Sequence, residues 1–91
     1  MKIEFDPEKD KANIAKHGYA LILAVIVLSD PNAVKLADTR KDYGEIRYRT
    51  IGLLNGEIVA VVVHTPRYGV TRVISLRAAN RKERKIYNGN D

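Results

Sequence analysis

The chain has 91 residues, with 16 Lys and Arg against 11 Asp and Glu, and a formal net charge of +5. This length predicts one domain, residues 1–91, whose modest core leaves little room for a deep pocket. Cysteine is absent, which excludes a disulfide framework, thiolate catalysis and Cys-ligated zinc. Because the chain has only 2 His, far apart in sequence, we expect no metal site. We also expect no organic cofactor.

The basic excess lies in the second half of the chain. Residues 1–45 contain 7 Lys and Arg against 8 Asp and Glu, whereas residues 46–91 contain 9 against 3, and seven of those nine are Arg. Arg can bind a phosphate through two parallel hydrogen bonds, which Lys cannot. The bias indicates a nucleic-acid ligand, although composition alone favours a basic surface without a ligand equally well.

The first predicted element is a helix over residues 7–17. Asp6 can accept from the free amides of the first turn, Pro7 suits the first helical position, and Gly18 can take the left-handed conformation that ends a helix. Helical spacing places four polar residues near one side: Lys9, Asn13, Lys16 and His17.

Residues 19–28 are almost entirely apolar, and periodicity does not decide between a buried strand and a helix. The β-branched residues favour a strand and the length favours a helix. The longest apolar run, residues 20–28, has nine residues, whereas a membrane span needs roughly 20. Because the N-terminus also lacks the pattern of a signal peptide, we expect a soluble, cytoplasmic protein.

From residue 33 the sequence is typical of strands and turns. Strands are predicted over residues 33–38, 45–54, 57–65 and 70–77, and a helix over 78–87. Asn55-Gly56 predicts a two-residue hairpin turn, and residues 66–69 predict a second turn. Together with a short strand before the first helix, this order indicates an α+β domain with an antiparallel sheet.

The hairpin turn sets the expected register. With Leu54 opposite Glu57, Arg49 lies opposite Val62 and Arg47 opposite His64, so that Arg47, Arg49 and His64 share one face. If the second turn has four residues, Ser75 and Arg77 join this face and Arg72 falls on the core face. A turn one residue longer or shorter reverses that assignment.

A face with several guanidiniums and an imidazole can cleave RNA without a metal. A base takes the 2′-hydroxyl proton, cations stabilise the pentacoordinate phosphorane, and an acid protonates the 5′-oxygen. Each residue taken alone has a commoner explanation: Arg47 and Arg49 as an exposed strand face paired with Glu45 or Glu57, and His64 as a histidine bonded to backbone. Only their convergence in a short chain favours catalysis.

The assembled motifs resemble the BrnT toxins of bacterial type II toxin–antitoxin systems, relatives of the RelE-like ribonucleases. The resemblance rests on these pieces in order: Phe5-Asp6-Pro7-x-Lys9, Asn13-x-x-Lys16-His17-Gly18, Ser29-Asp30-Pro31, Gly44-Glu45-x-Arg47, Ile51-Gly52, Arg72-Val73-Ile74-Ser75-Leu76-Arg77-Ala78-Ala79, Glu83 and Tyr87. They extend over nearly the whole chain. The specific part is the Lys-His-Gly motif combined with the Arg-x-Ile-Ser-x-Arg-x-Ala motif.

The resemblance implies a small α+β RelE-like fold, with an antiparallel sheet of about four strands, two N-terminal helices and one C-terminal helix. Residues 19–28 are then helical. It also implies a ribonuclease that inhibits translation and is neutralised by a BrnA-like ribbon-helix-helix antitoxin. The toxin then binds operator DNA only through this antitoxin. The alternatives are a non-catalytic nucleic-acid-binding module and an inactive homologue that acts only through its antitoxin.

The expected site combines the motif residues with the hairpin register. The catalytic candidates are Lys16, His17, Glu45, Arg47, Arg72 and Arg77, and the RNA-binding candidates are Lys9, Arg49, His64, Arg67 and Tyr87. Glu45 either orients an acid/base candidate or pairs with an arginine, and Tyr87 either stacks on a base or covers the core. If Leu21, Ala24, Val25 and Leu28 face the core, an outward apolar patch remains, formed by Ile22, Leu23, Ile26 and Val27. Such a patch indicates a surface for the antitoxin or a second copy, unless the segment is buried on both sides.

Overall fold

The fold is a five-stranded sheet with helices on both faces, as a computed structural model that describes residues 1–89 shows. The sheet order is β1-β5-β4-β3-β2, and β1 runs parallel to β5 while the other neighbours are antiparallel. The α+β class is confirmed, and the sheet is mixed because of the added parallel strand. The elements are β1 (Ile3–Glu4), α1 (Pro7–His17), a 3₁₀ turn (Leu21–Leu23), α2 (Ala24–Leu28), β2 (Val34–Ala37), β3 (Tyr48–Leu53), β4 (Val59–Arg67), β5 (Val70–Ala78) and α3 (Arg81–Asn88).

Helix α1 has the predicted ends. The Asp6 carboxylate accepts a hydrogen bond from the Glu8 amide at 2.9 Å, and Pro7 occupies the first turn. Gly18 ends the helix with φ of +82°, a conformation that costs glycine little. The local capping signals are therefore sufficient to define this helix.

The apolar segment is helical, but its inward face differs from the expected one. Leu21, Ala24 and Val27 are fully buried, at a spacing of three residues, and Ile22 and Ile26 are exposed. The segment begins as a 3₁₀ turn, whose period of three residues shifts the buried face relative to a regular α-helix. The outward assignment of Val27 is thus wrong, and Leu23 packs against the core, so the exposed patch consists of Ile22 and Ile26.

The connection between β3 and β4 has five residues, 54–58, and not two. Leu53 pairs with Val59, which moves the register by one residue from the expected one. The Leu54 side chain is 4% exposed and lies in the core, with Ile58 packed against the same cluster. Burying both side chains, together with a 2.8 Å hydrogen bond from the Leu54 amide to the Ile58 carbonyl, outweighs the tight turn at Asn55-Gly56.

The connection between β4 and β5 is shorter than expected. Arg67 pairs with Val70, leaving a two-residue turn of Tyr68 and Gly69. A register shift next to Val63 and His64 leaves Ile74 as an extra residue in β5, a β-bulge. The bulge brings Arg72 opposite Thr65 and so onto the same face as Arg77, which corrects the expected core-face position of Arg72.

The two sheet faces support separate clusters. The face that packs on α1 and α2 carries Ala60, Val62, Val73 and Leu76, and the opposite face carries Ile51 and Val61 beneath α3. Helix α3 begins at Arg81 rather than 78, because the Ala79 amide still bonds to Val59 across the sheet and Asn80 caps the helix. Of the helices in residues 1–89, none is by itself long and apolar enough to cross a membrane.

Asn13 joins α1 to the outer edge of β5. Its side-chain amide donates to the Leu76 carbonyl at 2.8 Å and accepts from the Leu76 amide at 3.0 Å, as a neighbouring strand would. It also donates to the Tyr19 carbonyl at 2.8 Å, which fixes the chain leaving the helix. One buried side chain thereby satisfies backbone groups of β5 that β1 is too short to reach.

We expect Asn13→Ala to lower the free energy of unfolding by roughly 2–4 kcal/mol, since two buried backbone groups of Leu76 lose partners at about 1–3 kcal/mol each. Urea denaturation measures the difference. Asn32→Ala, at an exposed position, is the matched control and should change stability little. Equal effects of the two substitutions would contradict this role for Asn13.

Candidate functional site

Two arginines on different strands meet at one buried carboxylate. Arg49 pairs with Val63 and Arg77 pairs with Val61, so both lie on the sheet face beneath α3, hereafter the arginine face. Glu83 of α3 is 2% exposed and accepts 2.7 and 2.8 Å hydrogen bonds from the two terminal nitrogens of Arg77. It also accepts from Arg49 at 3.0 Å, which holds both guanidiniums at one point.

The Glu83 carboxylate is strongly stabilised in its ionised form. Hydrogen bonds from Arg77 lower the pKa of Glu83 to about 2, burial opposes this effect, and the Asn80 amide and the charge of Arg49 add to the lowering. The same carboxylate closes a capping box with Asn80, at 2.9 Å and 2.8 Å in the two directions. Glu83 therefore couples the start of α3 to the positions of both arginines.

A groove lies beside this cluster, between α1 and the outer edge of β5. It encloses 250 Å³ and its polar lining consists of Lys9, Asn13, Lys16, His17 and Ser75. Ser75 lies opposite Val63, on the arginine face. The structure therefore brings the predicted polar side of α1 to the strand that carries Arg77.

His17 is the titratable group of this groove with a shifted pKa. Burial, the Lys16 ammonium and the Arg77 guanidinium all lower the pKa of His17 from 6.5. At neutral pH its imidazole is therefore mainly uncharged and can accept a proton. Ser75, which lines the groove, lies two residues from Arg77 on the same face of β5, so the groove and the guanidinium are neighbours.

A second cluster lies towards the tip of the β4–β5 hairpin. Glu45 accepts a 2.9 Å hydrogen bond from Arg47, and Arg67 lies 3.7 Å from its other oxygen. The Arg47 guanidinium lies over the Tyr43 ring at 4.1 Å. Of the two roles considered for Glu45, the structure places it in the ion pair with arginine.

Arg72 has a partner of its own at the other edge of the sheet. Its guanidinium donates to the Glu4 carboxylate of β1, and the two residues are paired across the parallel ladder. Its side chain remains 26% exposed. Arg72 is thus accessible from solvent and lies one row from Ser75 and Arg49 on the arginine face.

His64 does not join the arginines, which corrects the expected shared face. It pairs with Tyr48, lies on the face covered by α1 and α2, and is 6% exposed. Its Nε2 lies 2.7 Å from the Thr50 hydroxyl, and burial followed by the charge of Lys35 lowers its pKa to about 4. The longer β3–β4 connection causes the change, because a register shift of one residue moves a side chain to the other face.

Tyr87 is likewise held within the fold. Its hydroxyl donates to the Asp30 carboxylate at 2.6 Å, and its ring packs in the cluster beneath α3. Asp30 also accepts from the Leu53 and Asn32 amides at 2.9 Å each, so it links the end of α2 to β3 and α3. Of the two roles considered for Tyr87, the packing favours covering the core.

The role of Glu83 in holding Arg49 and Arg77 together was not predicted from the sequence, where Glu83 appears only as a motif residue. The signal was present, because Asn80-x-x-Glu83 is a capping-box pattern that starts a helix at 81. This start places Glu83 in the first turn, next to the strand that ends at Ala78. Within residues 1–89, no group of three or more His, Asp or Glu is arranged to hold a metal ion.

We expect the stability contributed by Glu83 to depend on pH. Its folded-state pKa is lowered from 4.5 to about 2, so its contribution is present above pH 4.5 and is lost as the pH falls towards 2. A lowering of this size corresponds to roughly 2–4 kcal/mol. Thermal unfolding of the wild type and Glu83→Gln should therefore differ at pH 7 and converge near pH 2. Glu57→Gln, at an exposed position, is the control, and a difference for Glu83→Gln that stays constant with pH would contradict the role.

Comparison with known proteins assigns the family. No curated protein matches the chain significantly. A solved structure of the Brucella abortus ribonuclease toxin BrnT is similar, with a TM-score of 0.68 and 34% identity over 89% of this chain and 99% of that one. The sequence model of the ribonuclease toxin BrnT of type II toxin–antitoxin systems matches residues 5–83. The chain therefore belongs to the BrnT family of ribonuclease toxins.

Proposed function

We propose that the protein is an endoribonuclease that cleaves RNA without a metal ion and thereby inhibits translation. The observation that carries the proposal is the juxtaposition of the Arg49–Glu83–Arg77 cluster with the His17 groove. The cluster supplies fixed positive charge, and the groove supplies a neutral imidazole at physiological pH. The groove is open at the surface and the two arginine side chains are each 23% exposed, an arrangement that a long, flexible substrate can reach.

In the proposed reaction the 2′-hydroxyl oxygen attacks the adjacent phosphorus and the bond to the 5′-oxygen breaks. His17 takes the 2′-hydroxyl proton, because its lowered pKa leaves the imidazole unprotonated at neutral pH. The Lys16 ammonium, which lines the same groove, donates a proton to the leaving 5′-oxygen, and proton exchange with water then restores neutral His17 and charged Lys16. Arg77 and Arg49 stabilise the charge that develops on the phosphorane oxygens. The products are a 2′,3′-cyclic phosphate and a 5′-hydroxyl.

The remaining cations form the proposed path of the RNA backbone. Lys9 lines the groove, and Arg72, Arg47 and Arg67 extend along the arginine face towards the tip of the β4–β5 hairpin. Carboxylates already pair with three of these arginines, so a phosphate must compete with Glu4 or Glu45. Arg77 is also paired, with Glu83, and its assignment to the reacting phosphate together with His17 rests on its place next to Ser75 of the groove. We assign the remaining cations to substrate binding.

Membership of a type II toxin–antitoxin family implies an antitoxin partner. We propose that this partner is a BrnA-like ribbon-helix-helix protein, which also carries the complex to operator DNA, and that both act in the cytoplasm. Ile22 and Ile26, which are 54% and 48% exposed and one helical turn apart, form the proposed contact. An exposed apolar pair on an otherwise charged protein is stabilised when a partner covers it.

The test of the catalytic proposal compares His17→Ala, Arg77→Ala and Arg77→Gln with the wild type, expressed from a tightly controlled promoter. Gln can still donate a hydrogen bond to Glu83, which protects the fold while removing the charge. We expect each substitution to reduce the rate of RNA cleavage by about 10²–10³ and to relieve growth arrest. Cleavage of total RNA and circular dichroism are measured on the same purified proteins.

Lys11→Ala is the control for charge, because Lys11 is exposed on α1 and does not line the groove. It should cleave RNA as the wild type does. Full growth arrest by both His17→Ala and Arg77→Ala would refute the proposed site. RNA that is bound in a salt-sensitive complex but left uncut would instead identify a non-catalytic RNA-binding protein.

For the antitoxin contact, we expect Ile22→Ser with Ile26→Ser to weaken the toxin–antitoxin complex at least 10-fold, as loss of buried apolar area at about 25 cal/mol per Å² implies. Isothermal titration with the purified antitoxin measures the change. Ile14→Ser, at an exposed apolar position on α1, is the matched control. Unchanged affinity of the double variant would refute this surface as the contact.

A further inference from the structure

The tip of the β4–β5 hairpin carries a tyrosine in an unfavourable backbone conformation. Tyr68 has φ of +53° and is followed by Gly69 with φ of +78°. Two successive residues with positive φ form the type of hairpin turn that Asn-Gly or Gly-Gly adopts most easily. Tyr68 is the one residue other than glycine with positive φ in the described part of the chain.

Tyr68 contributes no packing that would explain its presence there. Its relative exposure is 100%, so both faces and the hydroxyl of its ring are open to solvent. The fold would accommodate Asn or Gly at this position with less strain. A large aromatic side chain that is strained and fully exposed indicates a contact outside the protein.

The surroundings of the tip indicate a nucleic acid rather than a protein surface. Along β4, Val63, Thr65 and Arg67 alternate onto the arginine face. Arg49 lies beside Val63 and Arg72 beside Thr65, so cationic side chains occur at each step from the cluster to Arg67 at the tip. Arg67 is 44% exposed and lies 3.7 Å from a Glu45 oxygen, which leaves much of its guanidinium free. Tyr68 lies five residues beyond Val63, about 16 Å along the strand, a span of a few nucleotides from the row of Arg49 and Ser75.

We propose that Tyr68 is an RNA-binding residue that stacks on one unpaired base, a few nucleotides from the phosphate that is cleaved. Aromatic stacking accepts any base and contributes substantially to single-strand affinity, while neighbouring arginines bind the backbone. The proposal rests on the proposed ribonuclease function and adds a base-binding position to it. The substrate segment is therefore single-stranded at that nucleotide.

The test measures binding of a single-stranded 2′-O-methyl RNA oligonucleotide, which lacks the attacking hydroxyl and is not cleaved. Three variants separate the ring from the strain: Tyr68→Phe keeps both, Tyr68→Ala loses the ring, and Tyr68→Asn loses the ring and relieves the strain. We expect Phe to bind as the wild type does and Ala and Asn to bind about 5- to 100-fold more weakly. Tyr68→Asn should nevertheless have the higher melting temperature, so that its stability and affinity change in opposite directions.

A second set of oligonucleotides, each with one abasic position, locates the stacked base. The wild type should bind one of the abasic oligonucleotides more weakly than the intact one. Tyr68→Asn, which already binds the intact oligonucleotide more weakly, should show no further loss with that abasic oligonucleotide. Wild-type affinity in Tyr68→Asn, or equal losses in both proteins, would overturn the proposal. So would unchanged RNA binding with weakened antitoxin binding, which would make the tip a protein contact.

Failure of the ribonuclease function is a separate result. It appears as wild-type protein that does not cut unmodified RNA, whatever the Tyr68 variants do. Tyr68 variants that bind the 2′-O-methyl oligonucleotide as tightly as the wild type, while the wild type still cuts unmodified RNA, refute only the stacking role.

Discussion

The buried carboxylate of Glu83 is the interaction on which the arginine face depends. Guanidiniums with like charge would otherwise separate into solvent, and a lone carboxylate at this depth would be strongly destabilising. The Glu83 carboxylate accepts four hydrogen bonds: three from arginine and one from the Asn80 amide. Because Glu83 belongs to α3 and the arginines belong to β3 and β5, the packing of the last helix on the sheet also sets the positions of the two guanidiniums.

The features that sequence predicts well are those set by neighbours in the chain. Asp6, Pro7 and Gly18 define α1 because capping is local, and helical spacing then gathers Lys9, Lys16 and His17 in one groove. The strands also appear where alternation predicts them, with ends displaced by a few residues. The family resemblance, carried by the ordered motifs, supplied the helical state of the apolar segment that its own pattern left open.

What the sequence did not predict depends on contacts between distant residues. The position of His64 follows from the length of the β3–β4 connection, which is set by burial of Leu54 and Ile58 against a core built from other elements. The inward face of the apolar segment follows from a 3₁₀ turn, for which the segment contains no sequence signal. Predicting that Glu83 holds both arginines would have required knowing that Arg49 and Arg77, separated by 28 positions, lie two strands apart on one face.

The bulge at Ile74 separates β5 into two parts that can change independently. On one side of the bulge, Ser75 and Arg77 are fixed by their pairing with Val63 and Val61. On the other side, Arg72 and the hairpin tip pair with β4 in a register that differs by one residue. A residue gained or lost near the tip can be absorbed where the ladder is already irregular. The fold can therefore vary in length at the hairpin tip, which we propose binds RNA, while Ser75 and Arg77, next to the proposed catalytic groove, keep their positions.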